Sequence, residues 1–125
     1  MYSTLREYFE KVEYPDVKGV ELTISNGASD LNSGLYNSCK KGHIDLVELM
    51  IKKGANYFDC GLWIACLEGR VEIVNLLIEK GANNLNEGLS NSCKGGHIEI
   101  VKLMIEKGAN NWDEGLSNSC EGGSQ

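Results

Sequence analysis

The segment GLSNSCKGGHIEIVKLMIEKGAN, residues 88–110, decides the fold because the chain contains closely related blocks twice more. Residues 34–56 read GLYNSCKKGHIDLVELMIKKGAN and residues 61–83 read GLWIACLEGRVEIVNLLIEKGAN, so successive blocks are offset by 27 residues. A fixed period of this size is typical of solenoids, in which each supersecondary unit packs only on its neighbours. The sequence therefore predicts a stack of repeated units.

Each block contains two predicted helices. The longer one, residues 98–107 in the third block, is apolar over most of its surface, which predicts a broad buried face. Its polar residues at i, i+3 and i+7 are Glu99, Lys102 and Glu106. Lys107 and Gly108 then place a cation and a residue suited to the left-handed conformation at the end of the helix. A shorter helix is predicted over residues 88–94, antiparallel to the longer one.

The blocks resemble ankyrin repeats, which place a Leu, two small residues, a Gly-His turn, an apolar helix and Gly-Ala-Asp in that order. The matching residues of the third block are Leu89, Ser92, Cys93, Gly96, His97, Ile100, Val101, Leu103, Gly108, Ala109 and Asn110. The resemblance covers residues 34–114 and part of a further unit at 115–125. It implies an all-α fold, an ankyrin-like helical solenoid of antiparallel helix pairs.

The units are shorter than those of the family. An ankyrin repeat has ~33 residues, with a β-turn finger between its helix pairs, so a period of 27 leaves about six residues missing. All of them are missing between Gly-Ala-Asn and the next Leu. We therefore expect loops of about five to seven residues in place of the fingers. Finger-less units of this kind resemble the ankyrin-like arrays of giant viruses of amoebae.

The predicted loop carries an apolar residue at one equivalent position of every unit. These residues are Leu31, Phe58, Leu85 and Trp112. A solvated loop does not require apolar side chains, so they are expected to tuck between neighbouring helix pairs rather than to contact a ligand.

The chain is predicted to form a single ankyrin-like domain, residues 1–125. Its parts are a degenerate N-terminal capping repeat (1–33), three full repeats (34–60, 61–87 and 88–114) and a C-terminal half repeat (115–125). Subtracting 27 from core and helix-end positions of the next repeat predicts equivalent roles for Tyr8, Val12, Val17, Val20, Leu22 and Gly27. Terminal repeats of a solenoid are atypical, and Pro15 is predicted to lie in the turn between the two helices of this cap.

Composition argues against several classes of partner. The formal net charge is −6, and Lys and Arg are outnumbered 12 to 18 by Asp and Glu, which disfavours binding to a nucleic-acid backbone. The sequence has neither a long apolar run nor a secretory leader at its N-terminus, so no contact with a membrane is expected. We expect an intracellular, cytoplasmic protein, or one in the host cytoplasm if it is viral.

Four of the five cysteines occupy one equivalent position. They are Cys39, Cys66, Cys93 and Cys120. Successive copies should lie one repeat apart, roughly 8–10 Å, which is too far for a disulfide, and zinc-type spacings are missing. These side chains are therefore expected to be small apolar core residues. Cys60 is off register and is expected to be exposed.

The sequence offers no catalytic pattern. Its two histidines, His43 and His97, both fill the Gly-His turn of the repeat, where the side chain is expected to cap or bridge the backbone of the turn. Phosphate-binding glycine loops, metal spacings and nucleophile pairs are missing. We expect no enzyme activity, no cofactor and no metal.

Differences between the repeats predict a binding face on the first helices. The positions expected to face solvent, spaced i, i+3 and i+4, are Asn37, Lys40 and Lys41, then Ile64, Leu67 and Glu68, then Asn91, Lys94 and Gly95. Only the middle set is largely apolar, and Trp63 and Tyr57 lie at its edge. An apolar centre with a charged rim is typical of a protein interface. In the alternative reading, Trp63 packs sideways against Tyr36 and fills the space of the missing finger.

These patterns predict a non-catalytic protein–protein interaction module that binds a protein partner of unknown identity through the first-helix face. The alternative is a structural protein that self-associates through its uncapped C-terminal end. The first reading favours a monomer, with no nucleic-acid, membrane or metal partner.

Overall fold

Eight α-helices, and no strand, make up the secondary structure of residues 1–110, the part of the chain that the computed structural model describes. The helices are α1 (Leu5–Lys11), α2 (Val17–Ser25), α3 (Leu31–Lys41), α4 (Ile44–Lys53), α5 (Phe58–Glu68), α6 (Val71–Glu79), α7 (Leu85–Gly95) and α8 (Ile98–Lys107). The all-α, ankyrin-like arrangement of short helices expected from the sequence is confirmed.

The helices form two compact units. The first unit, Met1–Tyr57, contains α1 to α4, and the second begins at Phe58 and contains α5 to α8. In the first unit α3 packs on α4 and on α1, and α2 packs on α1 and α4. In the second unit α5 packs on α6 and α7, and α7 packs on α8. Each sequential pair is joined by a short turn, so its two helices run antiparallel.

Glycine ends the helices where the sequence predicts it. Gly42 follows α3 with a φ of 79°, and Gly54 follows α4 with a φ of 119°, both in the left-handed region. The backbone amide of Ala55 then donates to the Met50 carbonyl at 2.9 Å, which satisfies a carbonyl of the last helical turn. The predicted helix end at Lys53 and Gly54 is confirmed.

The core is a repeated layer of large apolar side chains. In the first unit it includes Leu35, Leu46 and Met50, and in the second the equivalent Leu89, Ile100 and Met104, all at 0% exposure. Burying a side chain of this size stabilises the fold by ~1.5–3 kcal/mol. Equivalent positions of the repeats are therefore buried in both units, as the 27-residue period predicts.

The first helix of each pair begins earlier than the sequence predicts. The third block was expected to start its helix at Gly88, whereas α7 begins three residues before, at Leu85. Leu31, Phe58 and Leu85 are consequently the first residues of α3, α5 and α7, half-buried rather than parts of a loop. The remaining loops are residues 26–30, 54–57 and 80–84, at or below the short end of the expected range. Trp112 lies outside the described residues.

The N-terminal repeat follows the expected pattern only in part. Tyr8 and Val20 are buried, and Gly27 ends α2 with a φ of 110°. Val17 and Leu22, in contrast, are 37% and 56% exposed, so their assignment to the core is wrong. The reason is that α2 packs mainly on α1 and α4, which leaves its remaining surface to solvent. Other predicted positions of this repeat are Val12, half-buried, and Pro15, buried just before the N-cap of α2.

The cysteine positions are buried as expected. Cys39 and Cys66 are free thiols at 0% exposure, and burial raises the pKa of each to about 12. Cys93 is equally buried but is disulfide-bonded, so the expectation that none of these cysteines forms a disulfide is wrong at this position. Cys60 is exposed, as predicted. Cys120 lies outside the described residues.

Candidate functional site

Helix α5 carries apolar residues around its whole circumference. Its buried residues are Gly61, Leu62, Ile64, Ala65 and Cys66. A helix that is apolar all round is normally surrounded by other elements rather than exposed along one face. The solvent-exposed surface of α5 is therefore smaller than the face that the i, i+3, i+4 spacing predicts.

Two of the predicted binding residues are buried. Ile64 is 2% exposed and Asn91 is 3% exposed, so the expectation that they face solvent is wrong. The Asn91 side chain donates from Nδ2 to the carbonyl oxygen of Glu87 at 2.9 Å, which satisfies it inside its own helix. Ile64 is buried because it belongs to the apolar circumference of α5.

The other predicted residues of the second unit remain accessible. Trp63 and Leu67 are half-buried, while Glu68, Lys94 and Gly95 are exposed. Two apolar and two charged residues of the predicted set are therefore accessible to a partner in this unit.

In the first unit, Lys40 and Lys41 are exposed, Asn37 is half-buried, and Tyr57 is 59% exposed. Asn37 donates from Nδ2 to the Ser33 carbonyl at 2.9 Å, the same intrahelical bond that Asn91 makes in the second unit. The predicted packing of Trp63 against Tyr36 joins residues of different units and stays a prediction.

A shallow depression lies beside Trp63 in the second unit. It has a volume of about 380 Å³, and it is lined by Asp59, Cys60, Trp63, Asn84 and Glu87. Ligand-binding clefts begin at roughly 300 Å³, so the depression has room for one or a few side chains of a partner. We refer to it below as the Trp63 depression.

Hydrogen bonds hold the polar wall of the Trp63 depression. Oδ1 of Asp59 accepts from the backbone amides of Asn83 at 2.9 Å and of Asn84 at 3.0 Å. Oε2 of Glu87 accepts from Nδ2 of Asn84, also at 3.0 Å. Both carboxylates are therefore positioned by the loop 80–84 before any ligand arrives.

The role of Asp59 recurs in other repeats, and the sequence analysis missed it. Oδ1 of Asn32 accepts from the amides of Asn56 at 2.8 Å and of Tyr57 at 3.0 Å. Oδ1 of Asn86 accepts from the amide of Asn110 at 2.8 Å. The signal was present in the sequence, because one position of every unit carries Asn or Asp: Asn32, Asp59, Asn86 and Asp113. We call the described members, Asn32, Asp59 and Asn86, the loop-binding residues.

The histidines do not act as the sequence predicts. His43 and His97 are the N-cap residues of α4 and α8, and neither side chain caps its helix. Nε2 of His97 instead lies 3.1 Å from the Leu67 carbonyl oxygen, at the end of α5. Glycines make room for the ring, since a Cβ at Gly69 would meet it at 2.5 Å and one at Gly95 at 2.6 Å. His97 therefore links successive repeats.

Two negative findings apply to residues 1–110. Within this range, no three His, Cys, Asp or Glu side chains are grouped closely enough to hold a metal ion. No helix in the same range combines the length and the apolar character needed to cross a membrane.

A family model described as ankyrin repeats (3 copies) matches residues 9–88. No curated protein matches the chain.

Proposed function

The chain belongs to the ankyrin repeat family, whose repeats are generally protein–protein interaction modules, and from this premise we propose that it binds a protein partner without catalysing a reaction. The proposed surface is the accessible part of the second unit around α5, with Trp63 and Leu67 at its centre. The observation that carries this proposal is the half-buried Trp63 beside a depression with a polar wall. Trp is the residue type most enriched among residues that dominate binding energy in protein interfaces.

The structure narrows the set of proposed contacts. Ile64 and Asn91 are removed, because buried side chains do not reach a partner. The contacts proposed in the second unit are Trp63, Leu67, Glu68 and Lys94. In the first unit, Asn37, Lys40, Lys41 and Tyr57 remain proposed contacts.

The test is affinity capture from a cell lysate with wild type, Trp63→Ser and Leu67→Lys, followed by an affinity measurement on each protein captured. We expect both variants to bind the partner about thirtyfold more weakly, which corresponds to ~2 kcal/mol for an interface anchor. Lys102→Ala, an exposed position of α8, is the matched control and should bind as wild type does. Unchanged capture by both variants, with unchanged thermal unfolding, would place the binding surface elsewhere.

The alternative function, self-association through the C-terminal half repeat, concerns residues 115–125, outside the described range. Light scattering over a concentration series separates the two proposals. A mass that stays that of one chain supports the monomeric binding module. A mass that grows with concentration favours stacking of copies, because a head-to-tail contact does not close on itself.

A further inference from the structure

We propose that the Trp63 depression receives an arginine side chain of the protein partner, with the indole of Trp63 and the carboxylates of Asp59 and Glu87 as its contacts. This inference rests on the proposed function and names the chemistry of the group that the surface recognises. Three independent features of the second unit lead to it: the state of the two carboxylates, the absence of a compensating cation, and the indole in the same wall.

The first feature is that each carboxylate has one oxygen engaged and one oxygen available. Oδ1 of Asp59 is occupied by the amides of Asn83 and Asn84, and Oε2 of Glu87 is occupied by Asn84. Oδ2 of Asp59 and Oε1 of Glu87 have no hydrogen-bond partner among residues 1–110. The depression thus presents two acceptors whose positions are already fixed, which lowers the entropy cost of binding a donor.

The second feature is the charge of the wall. No Lys or Arg lines the depression, and neither Asp59 nor Glu87 makes an ion pair within the described part of the chain. Two uncompensated carboxylates repel an anion and favour a cation. A metal ion is disfavoured, since residues 1–110 contain no group of three suitable ligands.

The third feature is the indole of Trp63, which lines the same depression. Cations are attracted to aromatic faces within about 6 Å, and Trp is the strongest aromatic partner. Arginine combines this stacking with a planar fork of N–H donors that match carboxylate oxygens, whereas a lysine ammonium is a compact point charge. An arginine can therefore contact the indole of Trp63 and the carboxylates of Asp59 and Glu87 at once.

The test uses the full chain, labelled with ¹⁵N, and two short probes followed by chemical-shift titration. The probes are the blocked tripeptide acetyl-Ala-Arg-Ala-amide and the same peptide with citrulline, which has nearly the same shape without the charge. The readouts are the indole N–H of Trp63 and the backbone amides of Asn83 and Asn84. We expect saturable shifts with the arginine peptide and at least tenfold weaker binding of the citrulline peptide.

The chain itself suggests the variant that removes charge without removing structure. Asp59→Asn reproduces the residue that stands at the equivalent positions Asn32 and Asn86, where Oδ1 still accepts loop amides. Glu87→Gln likewise keeps an acceptor for Asn84. The double variant should melt as wild type does and bind the arginine peptide at least fivefold more weakly. Glu99→Gln, an exposed change on α8, is the control and should leave binding unchanged.

Two results would overturn the arginine proposal. One is equal affinity of the wild-type chain for the arginine and citrulline peptides. This comparison does not depend on the folding of any variant. The other is undiminished binding of the arginine peptide by the double variant. If partner capture fails with Trp63→Ser but not with the double variant, the arginine proposal falls while the proposed function stands. If neither change affects capture, the proposed surface itself is wrong.

Discussion

The carboxylate of Asp59 accepts a hydrogen bond from the backbone amide of Asn84 at 3.0 Å, although 25 residues separate them. Asp59 lies in the first turn of α5, and Asn84 lies in the loop before α7, so this bond joins one repeat to the next. In a full-length ankyrin repeat this region is a β-turn finger. Here a single polar side chain satisfies the loop amides, which allows the connection to be short.

The first prediction concerns this bond. Asp59→Ala leaves the amides of Asn83 and Asn84 without their protein acceptor and should lower the free energy of unfolding by about 1–3 kcal/mol. Asp59→Asn keeps the acceptor and should be nearly neutral. Urea unfolding of the two variants measures the difference. Equal stability of the two would show that solvent replaces the carboxylate without loss.

The second prediction concerns thiol reactivity. Cys60 is exposed and should react with a disulfide reagent within the mixing time of the assay, whereas Cys39 and Cys66 are buried and should react only on unfolding. The measurement is the number of thiols modified with and without denaturant. In the Cys60→Ser control the fast phase should disappear. Rapid modification of Cys39 or Cys66 in the native protein would contradict the packing described above.

The third prediction is a loss of stability at alkaline pH. Burial raises the pKa of Cys39 and Cys66 from the ordinary 9.0 to about 12 in the folded chain. Above pH 9 the thiols ionise in the unfolded chain but stay protonated in the folded one, so the unfolded state is favoured. Stability contributed by these protonated thiols should therefore be complete below pH 9 and fall progressively toward pH 12.

Urea midpoints at several pH values from 7.5 upward measure this loss. Burial also raises the pKa of Tyr8, which acts in the same direction. The control is the variant with Cys39→Ala and Cys66→Ala, in which the decline above pH 9 should be shallower. If that variant has the same pH profile as wild type, the two thiols do not cause the loss of stability above pH 9.

The fourth prediction concerns Gly95. Replacing a helical glycine by alanine normally stabilises a helix by about 1 kcal/mol. At Gly95 a Cβ would collide with the backbone carbonyl of Leu67 and would lie 2.6 Å from the ring of His97. Overpacking of this kind costs about 1–3 kcal/mol, so Gly95→Ala should destabilise the protein despite the exposure of the site. Thermal unfolding against Lys94→Ala, its exposed neighbour, is the comparison, and a stabilised Gly95→Ala would be the contrary result.

The fifth prediction separates two neighbours in α5. Ile64→Asn removes an apolar side chain that is 2% exposed and buries an amide, so it should cost about 2–5 kcal/mol. Leu67→Lys changes a half-buried residue whose long replacement reaches solvent, so it should cost less than about 1 kcal/mol. Chemical denaturation of both variants provides the values. Comparable losses would mean that α5 does not have the buried and accessible sides described here.

The sequence by itself determined the period, the helix pairs and the C-terminal ends of the helices. Each rests on local chemistry: Gly54 adopts the left-handed backbone of a helix end without steric cost, and Leu46 and Met50 are spaced i, i+4 on the buried face of α4. Burial of Cys39 and exposure of Cys60 were also predictable, because their positions in the repeat differ.

Only the tertiary structure decided which side chains remain for a partner. Helical spacing places Ile64 and Leu67 on one predicted face, yet packing buries Ile64 and leaves Leu67 half-buried. The contacts of Asp59 with the loop before α7 and of His97 with Leu67 likewise join residues 24 to 30 positions apart. A local sequence pattern does not predict such contacts, because burial and long-range hydrogen bonds depend on how neighbouring repeats pack against each other.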